Sequence, residues 1–130
     1  NISLLSLICY EIIFPHLVEN NKNLFNFIIN ISEDAWFGDS IGPHQHFAKA
    51  IFRSIESKTY TIRSANRGIS AFLNPNGKIL KSLKPNEIGN IELDLPIIKT
   101  TNNTSKKSLI FLLLLTTYIF TFFVLRKFKL

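Results

Sequence analysis

Leu4-Leu5-Ser6-Leu7-Ile8-Cys9-Tyr10-Glu11 is the stretch on which the reading of this chain turns. The apolar run Leu4–Ile8 predicts a β-strand, and it stops against the chain's single cysteine. A strand that ends in a sharp turn lifts the next side chain clear of the sheet. The turn also leaves backbone N–H groups free to meet a developing oxyanion, a geometry that thiol and serine acyl-transfer enzymes share. A lone cysteine also fits a small buried hydrophobe. The residues that follow favour the nucleophile.

Outward from this stretch the pattern alternates. Pro15 to about Asn23 predicts a short helix, and the almost wholly apolar Phe25–Ile31 a strand buried on both faces. Ser32 to Gly42 predicts a loop, with Pro43 suited to the first turn of a following helix. In that helix Phe47, Ala48, Ile51, Phe52 and Ile55 fall on one side and Lys49, Arg53, Glu56 and Tyr60 on the other. Thr61–Ser64 and Ile69–Leu73 predict strands. Asn74-Pro75-Asn76-Gly77 predicts a turn that pairs Ile69–Leu73 with Lys78–Leu80 as a hairpin. The alternation of Gly89–Leu95 predicts a last strand.

Composition adds limits. The 130 residues suffice for one domain; they start at Asn1 and contain no Met, which predicts a piece of a longer protein. A single cysteine excludes an internal disulfide, and the short N-terminal apolar run lacks the basic leader of a signal peptide. The net charge of +6 does not indicate nucleic acid. Much of it comes from Lys99, Lys106, Lys107, Arg126, Lys127 and Lys129, which flank the apolar stretch Leu109–Leu125 as headgroup anchors would. That stretch is roughly 25 Å long as a helix, slightly under a ~30 Å hydrocarbon core, and snorkelling Lys107 and Arg126 can make up the difference. Thirteen of its residues are Leu, Ile, Phe or Val, which outweighs its three threonines. It predicts a transmembrane helix; a buried core helix is the alternative. The expected organisation is a globular part over 1–95, a polar linker over 96–108, the membrane helix over 109–125 and a basic tail over 126–130.

Three clusters could carry chemistry. A free thiol, with a pKa near 8.5, is only slightly ionised at neutral pH and needs a base. Glu11 is close in sequence, and His16, His44 and His46 leave a Cys–His dyad open. His44 and His46, two residues apart, point in different directions on one helix; they read as first-turn or surface residues, and no metal set is expected. Glu33-Asp34-Ala35-Trp36-Phe37-Gly38 follows a predicted buried strand, where α/β proteins build sites. Trp36 and Phe37 fit either a site wall or a plug over the core. In Arg63-Ser64-Ala65-Asn66-Arg67-Gly68, Gly68 permits a left-handed or tight backbone, and Asn66 can bond a loop or a substrate.

Together and in this order, Ile8-Cys9-Tyr10-Glu11, Asp34-Ala35-Trp36-Phe37-Gly38, Ile41-Gly42-Pro43, Gln45-His46-Phe47 and Arg63-Ser64 with Asn66 and Gly68 resemble the C-terminal part of the bacterial apolipoprotein N-acyltransferase family. The sequence departs from that pattern at Glu33 and Arg67, where the family has Asn. The resemblance implies a partial nitrilase-like (carbon–nitrogen hydrolase) α-β-β-α sandwich followed by one C-terminal transmembrane helix. It implies Cys9 as nucleophile and thioester carrier, with Tyr10 and Glu11 supporting it and the Tyr10 N–H in the oxyanion hole. The Glu and Lys of the family's triad would lie upstream, so residues 1–130 alone would be inactive. Trp36, Phe37 and Asn66 become candidate substrate contacts. The implied partners are a phospholipid acyl donor, an apolipoprotein acceptor and the membrane, with no cofactor, metal or nucleic acid. The implied location is the bacterial inner membrane, with the catalytic domain on the periplasmic side. A membrane-anchored nitrilase- or amidase-type thiol hydrolase, a Cys–His hydrolase and a non-enzymatic tail-anchored protein are the rival readings.

Overall fold

The chain is described from a computed structural model covering residues 2–21, 24–97 and 104–128, with side chains from 109 to 126 in the last segment. Two compact units are present, Asn1–Thr100 and Thr101–Leu130.

The first unit is built on a five-stranded sheet in the order β1-β2-β3-β4-β5. Strand β1 (Leu4–Ile8) lies parallel to β2 (Phe27–Glu33), and β2 parallel to β3 (Tyr60–Asn66). Parallel neighbours need crossovers. The first runs through a 3₁₀ turn, Cys9–Ile13, and α1 (Pro15–Glu19); the second through a 3₁₀ turn, Ala35–Phe37, and α2 (Gly42–Ser57). Strands β4 (Ser70–Leu73) and β5 (Ile79–Leu83) complete the sheet as antiparallel neighbours. They are joined across the expected turn, where Asn74 and Lys78 close the hairpin through Asn74 N–H to Lys78 O at 2.9 Å.

The helices cover one face of the sheet. Leu7, Ile12, Val18, Phe25, Ile28, Phe47, Ala50, Ala71 and Leu73 form the core there. On the opposite face Leu4, Ile8 and Ile31 are exposed while Phe27 is buried, so β2 is covered on that side only at its start and not along its length as its composition suggested. The chain thus holds one helical layer and one sheet of the expected sandwich.

Four further expectations are corrected. Strand β2 begins and ends two residues later than expected, which takes Ser32 and Glu33 out of the loop and into the ladder. The helix α2 packs through Pro43, His46, Phe47, Ala50, Arg53, Ser54 and Ser57, while Phe52 is exposed. The stripe facing the sheet is therefore partly polar, because part of the interior it meets is polar. Gly89–Leu95 forms no strand. It touches β5 through Lys81 Nζ and the Glu92 carbonyl, 2.8 Å apart, but no ladder forms. The predicted first helix ends at Glu19, and residues 22–23 lie outside the described set.

In the second unit α3 spans Thr104–Phe128, starting inside the segment expected as linker; residues 98–103 and 129–130 lie outside the described set. Its Leu109–Arg126 stretch, of mean hydropathy 2.2, is long and apolar enough to cross a membrane. Thr116, Thr117 and Thr121 donate their hydroxyls to the carbonyls of Leu113, Leu114 and Tyr118. Those bonds satisfy the hydroxyls within the helix, as a lipid environment requires.

Candidate active site

The parallel register explains why separate motifs meet. Ile8 pairs with Ile31, and Glu33 with Asn66, so Cys9, Asp34 and Asn66 emerge together at the carboxyl edge of β1, β2 and β3. Cys9 is half-buried and adopts φ 47°. Left-handed backbone is unfavourable for a side chain with a Cβ and persists where surrounding contacts enforce it. Here Glu11 Oε2 accepts the Ile8 N–H at 2.7 Å. Asn30 Nδ2 donates to the Leu7 and Cys9 carbonyls at 2.9 and 3.3 Å. Glu11 thus pins the end of β1.

Beneath Cys9 lies a buried polar cluster. Asn30, Ser32, Asp34, His46 and Arg63 are all buried. Asp34 Oδ1 accepts Ser32 Oγ–H at 2.8 Å and His46 Nδ1–H at 2.9 Å, and Asp34 Oδ2 accepts Arg63 Nη2–H at 2.7 Å. Arg63 Nη1 donates to Asn30 Oδ1. With its Nδ1 proton given to Asp34, His46 meets Arg63 Nη2 at 3.2 Å as a contact only. Burial pushes the Asp34 carboxyl up, but the bonds from His46 and Ser32 and the Arg63 charge outweigh it and hold the group at about 2. Burial lowers Arg63 from the ordinary arginine value, against the Asp34 carboxylate. Gly68 makes room for this cluster: a Cβ there would stand 2.1 Å from Asp34 Oδ2. The left-handed residue is its neighbour Arg67, φ 53°.

Of the expected histidines, His16 and His44 are exposed. His46 is buried and bound to Asp34, not a surface residue. Among the described residues no histidine nitrogen is hydrogen-bonded to Cys9 Sγ, whose neighbours are Ser32 Oγ at 3.8 Å and the Glu33 carbonyl at 3.9 Å. Tyr10 is exposed, its ring 5.7 Å from the His46 ring. Trp36, 86% exposed, lines an open cavity of about 500 Å³ with Glu33, Ala35, Asn66 and Arg67. Phe37 turns the other way, against His46, and lines a cavity of about 130 Å³ with Tyr10 and Lys49. The two aromatics therefore separate. Among the described residues no group of three or more His, Cys, Asp or Glu side chains offers a metal set.

Residues 3–102 match the profile of the carbon–nitrogen hydrolases. The chain belongs to the carbon–nitrogen hydrolase family. Among curated relatives, the apolipoprotein N-acyltransferase of Rickettsia prowazekii is 48% identical over 95 residues, covering 73% of this chain and 19% of that protein. The protein of the same name from Rhizobium rhizogenes is 43% identical over 94 residues, covering 72% of this chain and 18% of that protein. The chain thus spans about a fifth of the length of these relatives. Among solved structures, an amidase from Nesterenkonia sp. AN1 superposes with a TM-score of 0.60 at 19% identity, over 83% of this chain and 44% of that one. The fold is accordingly the nitrilase-like α/β fold with a mixed sheet.

Within this carbon–nitrogen hydrolase chain the two departures from the resemblance sit together. Glu33 accepts the Asn66 side-chain amide at 2.8 Å and the Ala35 N–H at 2.9 Å. Those bonds, and the Arg67 charge after them, hold its carboxyl below the usual range. Glu33 and Arg67 therefore bring an opposed pair of charges to the cavity beside Trp36.

Proposed function

We propose that this chain is the C-terminal part of an apolipoprotein N-acyltransferase and that Cys9 is its nucleophile. The observation that carries the reading is the elbow: a half-buried thiol held in a left-handed turn at the carboxyl edge of three parallel strands. Identities of 43–48% to relatives of that name support the choice of reaction. The apolar α3 supports lipid substrates.

In this reading the Cys9 thiolate attacks the ester carbonyl of a phospholipid, and the Tyr10 N–H donates to the resulting oxyanion. The carbon–oxygen bond breaks, a lysophospholipid leaves with a proton, and the acyl chain stays on sulfur as a thioester. The α-amine of a diacylglyceryl-cysteine then attacks the same carbonyl. The amide forms, the thiolate leaves, and the amine's proton passes to the general base. The family resemblance places that base and the oxyanion-stabilising Lys in the longer protein, and Glu11 is already engaged with Ile8 N–H. Trp36 and Asn66 would meet substrate in the open cavity, with Phe37 shaping the Tyr10 side. The reaction would take place at the periplasmic surface of the inner membrane, with residues 1–95 outside the cytoplasm and 109–125 of α3 as membrane anchor.

The test is acyl transfer by the full-length protein in detergent, from labelled phospholipid to a diacylglyceryl-cysteine peptide, run beside residues 1–130 alone. Full-length protein should N-acylate the peptide and residues 1–130 should not. Ammonia release from small amides, with no acylated peptide, would replace this reading with the membrane-anchored amidase. Transfer by residues 1–130 within tenfold of full length would contradict the proposed upstream base.

A further inference from the structure

Acyl transfer as proposed makes no use of the buried hydroxyl closest to the nucleophile. Ser32 is 6% exposed on β2, with its Oγ 2.8 Å from Asp34 Oδ1 and 3.8 Å from Cys9 Sγ. A serine hydroxyl carries one hydrogen and can serve one acceptor at a time. While Cys9 is a thiol, the ionised Asp34 takes that hydrogen, because a bond to a carboxylate is the stronger one. The thiol's own hydrogen can turn to the Glu33 carbonyl, 3.9 Å away. Once the thiol loses its proton to the general base, the sulfur becomes a second anion beside the same hydroxyl. Asp34 can then release Ser32, since His46 and Arg63 still donate to it.

The other ionisable and charged groups around Cys9 are engaged elsewhere, although the buried His46 Nε2 and Arg63 Nε have no partner among the described residues. Glu11 on its own turn holds Ile8 N–H, and the Tyr10 ring lies against His46 and Phe14. The Glu33 carboxylate holds Ala35 N–H and Asn66. His46 from α2 and Arg63 from β3 are bound to Asp34. Among the described residues Ser32 is the side-chain donor within reach of the sulfur.

We propose that Ser32 is a catalytic residue whose hydroxyl turns from Asp34 to the Cys9 sulfur when the thiolate forms, and returns to Asp34 when the sulfur is acylated. Asp34, His46 and Arg63 are positioning residues in this scheme: they keep the hydroxyl aimed and make its release from Asp34 tolerable. The inference rests on Cys9 being the nucleophile of the proposed reaction.

The experiment is alkylation of the full-length protein by iodoacetamide at pH 7, followed on the Cys9 peptide by mass spectrometry, with thermal unfolding measured in parallel. Alkylation reports the thiolate and needs neither lipid substrate. Ser32→Ala should slow it about tenfold, as expected for a lost hydrogen bond to a charged group, and Ser32→Thr should return it to within about threefold of the parent. A folded Ser32→Ala protein alkylated at the parent rate would overturn the proposal. So would a loss that Ser32→Thr does not restore. If Ser32→Ala fails to fold, Ser32→Thr decides: parent-like alkylation agrees with the proposal, and a tenfold loss in folded protein overturns it. Slower alkylation of Ser32→Ala in a protein that acylates no peptide would uphold the role of Ser32 and reject the acyltransferase reading.

Discussion

Cys9→Ala in the full-length protein should abolish acyl transfer, a loss on the order of 10⁴-fold or more when the covalent carrier is removed. In the proposed reaction the thiol does three things in sequence: it ionises, attacks the ester, and holds the acyl chain until the amine arrives. Alanine can do none of them, and no neighbouring group can substitute. Ser32 is buried behind the sulfur, and Glu11 is tied to the strand end. The fold should survive, because Cys9 Sγ makes only two long contacts, at 3.8 and 3.9 Å, and both residue types face the same left-handed backbone. The check is the phospholipid-to-peptide assay with a thermal unfolding curve for each protein. A Cys9→Ala protein with parent-like melting and parent-like transfer would end the assignment of Cys9.

Arg63→Leu should destabilise the protein by about 3–5 kcal/mol, the range expected when one partner of a buried ion pair is removed. Arg63 bonds Asp34 through Nη2 and Asn30 through Nη1, and all three side chains are buried. Leucine fills the space but leaves the Asp34 carboxylate in the interior without its countercharge. Denaturant unfolding of parent and variant measures the gap, and its pH dependence identifies the cause. In the parent, Asp34 is depressed from 3.8 to about 2, so its contribution is fully present above pH 4 and is lost as pH falls toward 2. The gap between parent and Arg63→Leu should therefore narrow over that interval. Addition of Asp34→Asn to Arg63→Leu should recover part of the loss, because it removes the unpaired charge. A pH-independent gap of under 1 kcal/mol would mean that the cluster contributes little to stability.

How far these features could be read from the sequence depended on which physical signal each one left. The strand Leu4–Ile8 was legible because a short apolar run bounded by a turn has few other structures available. The two crossovers and the hairpin were legible for similar reasons, through Pro15, Pro43 and Asn74–Gly77. The buried cluster was not, because hydrophobic periodicity assumes that interiors are apolar. On β2 the residues Asn30 and Ser32, with Asp34 just past the strand's end, alternate with Ile29, Ile31 and Glu33, and the polar set faces the helices. On α2 the same assumption chose the stripe containing Phe52 and left out His46 and Arg53. A polar alternation inside a strand, matched by Arg63 at the register position facing Asn30, was the signal available. Gly89–Leu95 shows the reverse error: alternation supplies a strand pattern but not a partner edge. In the candidate site Cys9 and Glu11 were singled out by the motif, while the divergence of Trp36 and Phe37 required the turn geometry.

Cys9 is the proposed carrier of the acyl chain. The most direct measurement is intact-peptide mass spectrometry of the full-length protein after incubation with a phospholipid of defined chain length and no acceptor. One fatty acyl mass is expected on the peptide containing Cys9, removed by neutral hydroxylamine and discharged when diacylglyceryl-cysteine peptide is added. An unmodified Cys9 in a preparation that goes on to acylate the peptide, or an adduct on another residue, would contradict it.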